Sequence, residues 1–458
     1  MFNFILKSFI CICIGSGSGW AGTRVPKVNR DTAAQSLLIY IAADNNLGPF
    51  AEFNVREMQK APIPDNVNVL VQWDQPSNQK TWRYRILDGG KIDAGSLNVE
   101  MGANPGNELV SAFNWAQTNY PANRWSIIPW NHGYGIIDPR LKHLNKGKDS
   151  NVKISHTAKQ LPWYLPPGMR TSASRGVLFD DSQGTYLTDQ ALTRSVNQIA
   201  GLLGKNIDFI GFDACFMQMI EVMFQLVDPN TLQPVVNVVV GSENTEPGNG
   251  WNYAGFLTDI SNNPTGITTS AMGASAVSRY RSFYKGQDPS ITQSAVDMTK
   301  INDIRTNIAS VITLVRACRV ADAAKTRTAV RVARRNSIEF ELSDYIDLYS
   351  FYSALYTSFT KRGYDFDGDS WTDVKAKPKA KPSAKSAFTA AVNALKPALI
   401  SGMSLIQSAV IANAVGSWFK NAKGIAIYYP SSGPLDPSYK DTLFAQNTQW
   451  DEFILESR

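Results

Sequence analysis

Short apolar runs and polar breaks alternate along the first 300 residues. Five runs read as buried strands: Leu37–Ala42, Val67–Trp73, Trp125–Trp130, Ile207–Phe212 and Val235–Val240. Each is rich in Val, Ile, Leu or aromatic residues and ends in polar residues or glycine. Continuous apolar runs, unlike alternating ones, suit strands covered on both faces. Helical patterns lie between them. Asn107 predicts the cap of a helix over Glu108–Asn119, with Leu109, Ala112, Phe113 and Ala116 on one face. Strands alternating with helices predict an α/β fold, a mainly parallel sheet with helices on each side.

Two stretches interrupt this rhythm. Residues 138–175 are long, polar and proline-bearing, with Lys142, Lys146, Lys148, Lys153 and Lys159. A compact fold rarely holds a loop of this length without purpose, so an exposed insertion is expected. Residues 373–387 are rich in Lys, Ala and Pro and predict a loop. Beyond about residue 300 the pattern turns helical, with Ile304, Ile308, Val311 and Val315 on one face. The arginines that follow, Arg316, Arg319, Arg327, Arg331, Arg334 and Arg335, read as a solvated helix face. A last strand is expected at Ile425–Tyr429. This divides the chain into residues 1–22, a catalytic unit over 23–300 and a largely helical region over 301–458.

Residues 1–22 stand apart in composition. Lys7 is followed by the apolar run Phe9–Ile14 and by small residues up to Gly22. This reads as a signal peptide cleaved near Ala21, too short for a span of roughly 20 residues, and it predicts an exported protein. No other segment reads as membrane-crossing. Over 458 residues, 43% hydrophobic and 18% charged content is that of a globular chain. A net charge of +6 from scattered basic residues gives no reason to expect a nucleic-acid partner.

Of four cysteines, Cys11 and Cys13 fall in the predicted leader, so the mature chain keeps Cys215 and Cys318. Such a chain does not rely on a disulfide framework. Cys318 sits on an apparent helix and reads as a small buried side chain. Cys215 follows the strand Ile207–Phe212 as His132 follows the strand Trp125–Trp130. In an open parallel sheet such carboxyl ends share one edge, where ligands bind. Cys215 also begins a helical run, Phe216–Leu226, and a helix N-terminus favours a thiolate. Taken alone, a histidine after a strand is usually structural and a cysteine core filler. Together they suit a nucleophile and its proton-transfer partner, with the N–H groups of Gly133 and Cys215 as oxyanion donors. The other histidines, His143 and His156, lie in the insertion.

Several stretches carry a family likeness. They are Leu38–Leu47, Trp130-Asn131-His132-Gly133-Tyr134-Gly135, Phe209–Met217 with Glu221 beyond it, Gly241–Trp251, Ser294–Asp297, Tyr345–Leu348 and Gly424–Pro430. In this order, over nearly the whole mature chain, the sequence resembles the clostripain family of cysteine peptidases, related in fold to caspases, gingipains and legumains. The resemblance implies a caspase-like three-layer sandwich. It implies a His132–Cys215 dyad with no obligatory third member, needing no cofactor, acting on protein or peptide substrates after basic residues, Arg above Lys. A basic side chain needs a carboxylate at its pocket floor; Asp213 is the first candidate and Glu243 the second, with Glu246 as readily a turn residue and Asp44 a structural one. Family members are often matured by self-cleavage between the His and the Cys, which here points to Lys146 or Lys148. Some relatives respond to calcium, and Asp365–Asp373 packs carboxylates as calcium loops do. Its Gly368 is misplaced for an EF-hand, so an acidic turn is the plainer reading. The competing functions are the same fold with another specificity, and a catalytically silent binding protein.

Overall fold

The computed structural model describes residues 32–75, 79–136, 176–360 and 382–458. The predicted leader, nearly all of the insertion and the acidic stretch 365–373 lie outside these residues.

In chain order the first half runs β1 (Ala33–Ala42), α1 (Gly48–Met58), β2 (Val67–Asp74), β3 (Thr81–Leu87), β4 (Gly90–Asp93), α2 (Pro105–Asn119), β5 (Ala122–Trp130), β6 (Gly176–Asp180), β7 (Thr185–Thr188), α3 (Asp189–Leu203), β8 (Ile207–Gly211), α4 (Ile220–Met223) and β9 (Val236–Gly241). There follow α5 (Tyr253–Asn262), α6 (Thr269–Tyr284), β10 (Thr292–Asp297), α7 (Ile301–Ala321), α8 (Ala323–Arg335), β11 (Tyr345–Asp347), α9 (Leu348–Thr360), α10 (Pro382–Ala409), β12 (Val410–Val415), β13 (Ala426–Tyr428), α11 (Leu443–Thr448) and α12 (Trp450–Ser457).

Nine strands form one sheet in the order β12-β10-β9-β8-β5-β1-β2-β3-β4. The five predicted strands are its centre, and neighbours among them pair in parallel. The outer strands on both sides pair antiparallel, so the parallel centre sits within a mixed sheet. The reason lies in burial. All residues of β1 and β2 are buried, whereas β3, one strand in from the edge formed by β4, mixes buried and half-buried positions. Helices cover both faces and make two apolar layers. One holds Leu38, Phe113, Trp125 and Phe212; the other holds Leu37, Val55, Trp251 and Tyr280.

The region past residue 300 is helical as expected, but it shares the core of what precedes it. Strand β12 extends the central sheet, and Ile304, Leu395 and Trp450 join the layer that contains Leu38. Residues 382–387, expected in a loop, begin α10. Within that helix Ser386–Ala409 has the length and apolarity to cross a membrane, which the Lys and Pro beside it concealed in the sequence. Here it lies along α7 and α9, with Leu395, Leu399, Ile406 and Ala409 in the core. Arg334 departs from the solvated face: it is buried, donates to the Tyr429 carbonyl and pairs with Glu339 at 2.6 Å. The first helical turn of α2 starts before its predicted cap, and Asn104 accepts from the Asn107 N–H.

Candidate active site

The carboxyl ends of β1, β2, β5, β8 and β9 share one edge, as parallel pairing requires. Register then decides which side chains meet there. Strands β5 and β8 pair Ser126 with Phe209 and Ile127 with Ile210. A further bridge couples Trp130 with Asp213, closed by Asn131 N–H to the Asp213 carbonyl at 3.2 Å and Asp213 N–H to the Pro129 carbonyl at 3.0 Å. Two residues beyond that bridge stand His132 on one chain segment and Cys215 on the other. The two backbones also touch, because a Cβ on Gly133 would overlap the Cys215 carbonyl oxygen. Glycine is therefore the residue that lets the histidine loop close on the cysteine loop.

Both side chains are largely enclosed, His132 at 5% exposure and Cys215 at 9%. Nε2 of His132 lies 2.7 Å from Oδ1 of Asn46. An amide oxygen accepts, so Nε2 carries the proton and Nδ1 is the basic nitrogen. Asn131 holds the loop from below: its amide donates to the carbonyls of Ala42 and Phe179. The Cys215 sulfur accepts the Glu246 N–H at 3.2 Å. Burial pushes the His132 imidazole down to about 4 and the Cys215 thiol up to about 12. In the intact chain both groups are therefore neutral.

No helix N-terminus lies at Cys215. Phe216 adopts φ +61°, its N–H pairs with the Asn244 carbonyl at 3.0 Å, and Gln218 N–H pairs with the Ser242 carbonyl at 3.0 Å. The segment after Cys215 continues alongside the end of β9, and helix begins only at Ile220. The thiolate would gain its support from the Glu246 N–H, not from a helix dipole. The Gly133 loop pairs with β6 through the Tyr134 N–H, bonded to the Gly176 carbonyl at 3.3 Å. That pairing does not use the Gly133 N–H.

The candidate pocket acids separate. Asp213 is buried beside the cysteine and accepts from the Tyr253 hydroxyl at 2.8 Å and the Trp251 N–H at 3.3 Å. Burial pushes its carboxyl up to about 6, against hydrogen bonds from Glu246, Tyr253 and Trp251. Its carboxyl neighbour is Glu246, which burial and Asp213 hold well above the carboxylate range. Glu243 points elsewhere, against the buried Asp347, and both sit above their ordinary values chiefly through burial. So the structure places Asp213 and Glu246 beside Cys215, whereas Glu243 belongs to an acid pair reached from β11. Asp44 follows β1, where the Ser182 hydroxyl donates to it. Cys318 is buried on α7, as read from sequence. Lys146 and Lys148 lie outside the described residues.

Three groups at the edge escaped the sequence reading. Asn46 has a faint signal, the polar triple Asp44-Asn45-Asn46 at a strand end. The Glu246 N–H has none, because a backbone donor is placed by the loop path alone. Tyr253 sits at the start of a helix, where its hydroxyl has no marker in sequence.

The sequence pattern of the clostripain family matches residues 39–147 and 163–456. No curated protein sequence matches the chain. Among solved structures, a secreted C11 cysteine protease from Bacteroides thetaiotaomicron in complex with an irreversible peptide inhibitor shares the fold at 16% identity and TM-score 0.57, covering 92% of this chain and 100% of its own. A structure of a secreted C11 cysteine protease from that organism named iotapain aligns at 13% identity and TM-score 0.58, over 91% of this chain and 99% of its own. An inactive zymogen C11 protease from Parabacteroides distasonis aligns at 17% identity and TM-score 0.54, over 91% of this chain and 99% of its own.

Proposed function

This chain belongs to the clostripain family of cysteine peptidases, and from that premise we propose that it is an exported endopeptidase that cleaves after basic residues through a Cys215–His132 dyad. What supports this reading is the register of two adjacent parallel strands, whose ends bring His132 and Cys215 to one edge of the sheet, and the close approach of the Gly133 and Cys215 backbones there. In this reading Sγ of Cys215 attacks the scissile carbonyl carbon. Its proton passes to His132, which then protonates the departing amine. The thioester that remains is hydrolysed by water, with His132 taking the water proton and the thiol regained at the end. The Gly133 and Cys215 N–H groups hold the tetrahedral oxyanion; one such donor is worth about 3 kcal/mol in the transition state.

The preference for Arg or Lys at the bond cleaved rests on Asp213 and Glu246, two buried acids whose charges act on the Cys215 thiol. A guanidinium or ammonium brought between them would ionise both and recover the cost of their burial. Glu243, turned toward Asp347, is the weaker pocket candidate. Export is supported by the leader-like composition of residues 1–22.

Maturation by self-cleavage at Lys146 or Lys148 is part of the same proposal. The family pattern leaves out residues 148–162, within the lysine-bearing stretch that joins the His132 loop to β6. The neutral dyad of the intact chain fits a resting form: moving a proton from a thiol near 12 to an imidazole near 4 is strongly uphill. The deciding experiment is hydrolysis of a peptide library varied at the residue before the cleaved bond, by wild type and by Cys215→Ala. Turnover confined to Arg and Lys substrates and absent in the variant supports the proposal. Turnover retained in the variant refutes the dyad, and turnover after other residues refutes the pocket.

A further inference from the structure

On the face of the sheet that holds Leu37 and Val55, a groove of about 810 Å³ lies between helix α1 and strands β2, β3 and β4. Residues two apart on a strand share a face, so Trp82 and Tyr84 of β3 line it together. Their rings stack, with centres 5.8 Å apart and planes 6° from parallel. A lysine is seated on each. Nζ of Lys80 lies 3.7 Å from the centre of the Trp82 ring, and Nζ of Lys91 lies 4.0 Å from that of Tyr84.

A ring face holds an ammonium group in place without cancelling its charge. Among the described residues neither lysine forms an ion pair with a carboxylate. The acids whose charges act on them are engaged elsewhere. Glu52, which acts on Lys91, pairs with Arg56 at 2.5 Å. Asp93, which feels Lys80, accepts the N–H groups of Gly95 and Ser96 at 2.8 and 3.1 Å. The groove therefore offers two positive charges above an aromatic floor.

Its upper end belongs to the catalytic edge. Trp82 pairs with Trp73, one residue before the end of β2. Gly48 and Pro49 also line the groove, and the loop just before them carries Asn46, which meets His132. The two residues from Asn46 to Gly48 span at most about 7 Å. A polypeptide held at Cys215 thus passes close to the mouth of the groove.

Resting on the peptidase reading above, we propose that this groove is an exosite for protein substrates: it holds an extended stretch that carries carboxylates among apolar residues, outside the bond that is cleaved. Carboxylates meet the two ammonium groups, and apolar side chains meet the rings. A neutral sugar is a poorer match, because ring faces on which it would stack already carry lysines. The groove would select acidic proteins that also offer an Arg or Lys to the pocket at Asp213.

The test uses the whole enzyme and peptides of about 20 residues, each with one lysine and long enough to reach the groove from either side of the cleaved bond. One set carries Asp and Glu among Leu and Phe, and its twin carries Asn and Gln in their place. Wild type prefers the acidic set about tenfold in kcat/KM, the gain falling on KM, as two partly exposed ion pairs would give. Sodium chloride at about 0.5 M removes the preference. Lys80→Ala with Lys91→Ala abolishes it. Lys91→Ala alone lowers it about threefold and decides the matter should the double variant fail to fold. Equal KM for the twin sets with wild type overturns the proposal, as does a preference undiminished in either lysine variant. Anisotropy of a labelled acidic peptide on Cys215→Ala reads the groove without catalysis, and absence of binding there overturns the proposal too. Failure of the dyad reading shows separately, as peptides left uncut while lysine-dependent binding persists. Tighter lysine-dependent binding of an oligouronate than of the acidic peptide would overturn the assignment to protein substrates.

Discussion

Two groups of buried acid lie along one edge of this sheet, and the protein treats them differently. Beside Cys215, Asp213 is served by a tyrosine hydroxyl and a backbone N–H, and its carboxyl is pushed only to about 6. At the ends of β1 and β2, Asp74 is bonded instead to the side chains of other acids, Asp180 and Glu100. Burial, then Asp180, Glu100 and Asp44, push it up to about 10. Fixed donors preorganise the first group while leaving it short of a positive charge that a substrate side chain can bring. The second shares protons among its own acids, so Asp74 stays neutral near pH 7. The same residue type thus behaves differently under different hydrogen bonding.

The largest expected effect concerns the first group: Cys215→Ala lowers kcat/KM by at least about 10⁴-fold, as loss of a nucleophile does. Activity within tenfold of wild type would contradict the assignment. Next, Asp213→Asn reduces kcat/KM on Arg and Lys peptides by about 100-fold, the cost of removing one member of a buried charge pair. The loss falls mainly on KM, and equal losses on neutral substrates would place Asp213 outside the pocket.

A third buried acid provides the control. Glu221 accepts the Tyr428 N–H at 2.9 Å and the Tyr439 hydroxyl at 2.8 Å, far from either group, yet burial pushes it up to about 7. Its folded value lies above its unfolded one. The folded state therefore holds the extra proton between about pH 4.5 and 7, and its stability falls as pH rises through that window, then levels off. Glu221→Gln keeps an acceptor and cannot ionise. Its stability gain over wild type in urea unfolding should grow between pH 5 and pH 8 to about 2 kcal/mol. An unchanged gap at the two pH values would contradict this. The smallest effect concerns maturation: with Lys146 and Lys148 both changed to Ala, the chain stays a single band on a gel. Its Cys215 should alkylate about tenfold more slowly than in the processed enzyme, in keeping with the raised thiol of the intact form. Two fragments from that variant would move the cleavage elsewhere.

The centre of the fold was legible because its strands are covered on both faces and so read as unbroken apolar runs. The edges were not. Strand β3 carries Arg83 and Arg85 between its apolar residues, and β12 follows α10 without a break, so its Val-Ile-Ala run reads as more helix. The helix expected after Cys215 failed for the opposite reason. Residues from Phe216 to Leu226 are all buried, Gln218, Glu221 and Gln225 among them, so polar residues at helical spacing mark no solvent face there. His132 and Cys215 could be placed on one edge because strand ends locate them. Asp74, Glu100 and Asp180 could not, since only folding brings together acids so far apart in the chain.

The central claim is that Cys215 attacks and His132 serves it. It is tested most directly by treating the processed enzyme with a lysyl peptide bearing a thiol-reactive warhead and locating the adduct by mass spectrometry. The account predicts one adduct per chain, on Cys215, lost in His132→Ala and suppressed by an unreactive lysyl peptide. An adduct on Cys318, or labelling of Cys215 at the same rate without His132, would contradict it.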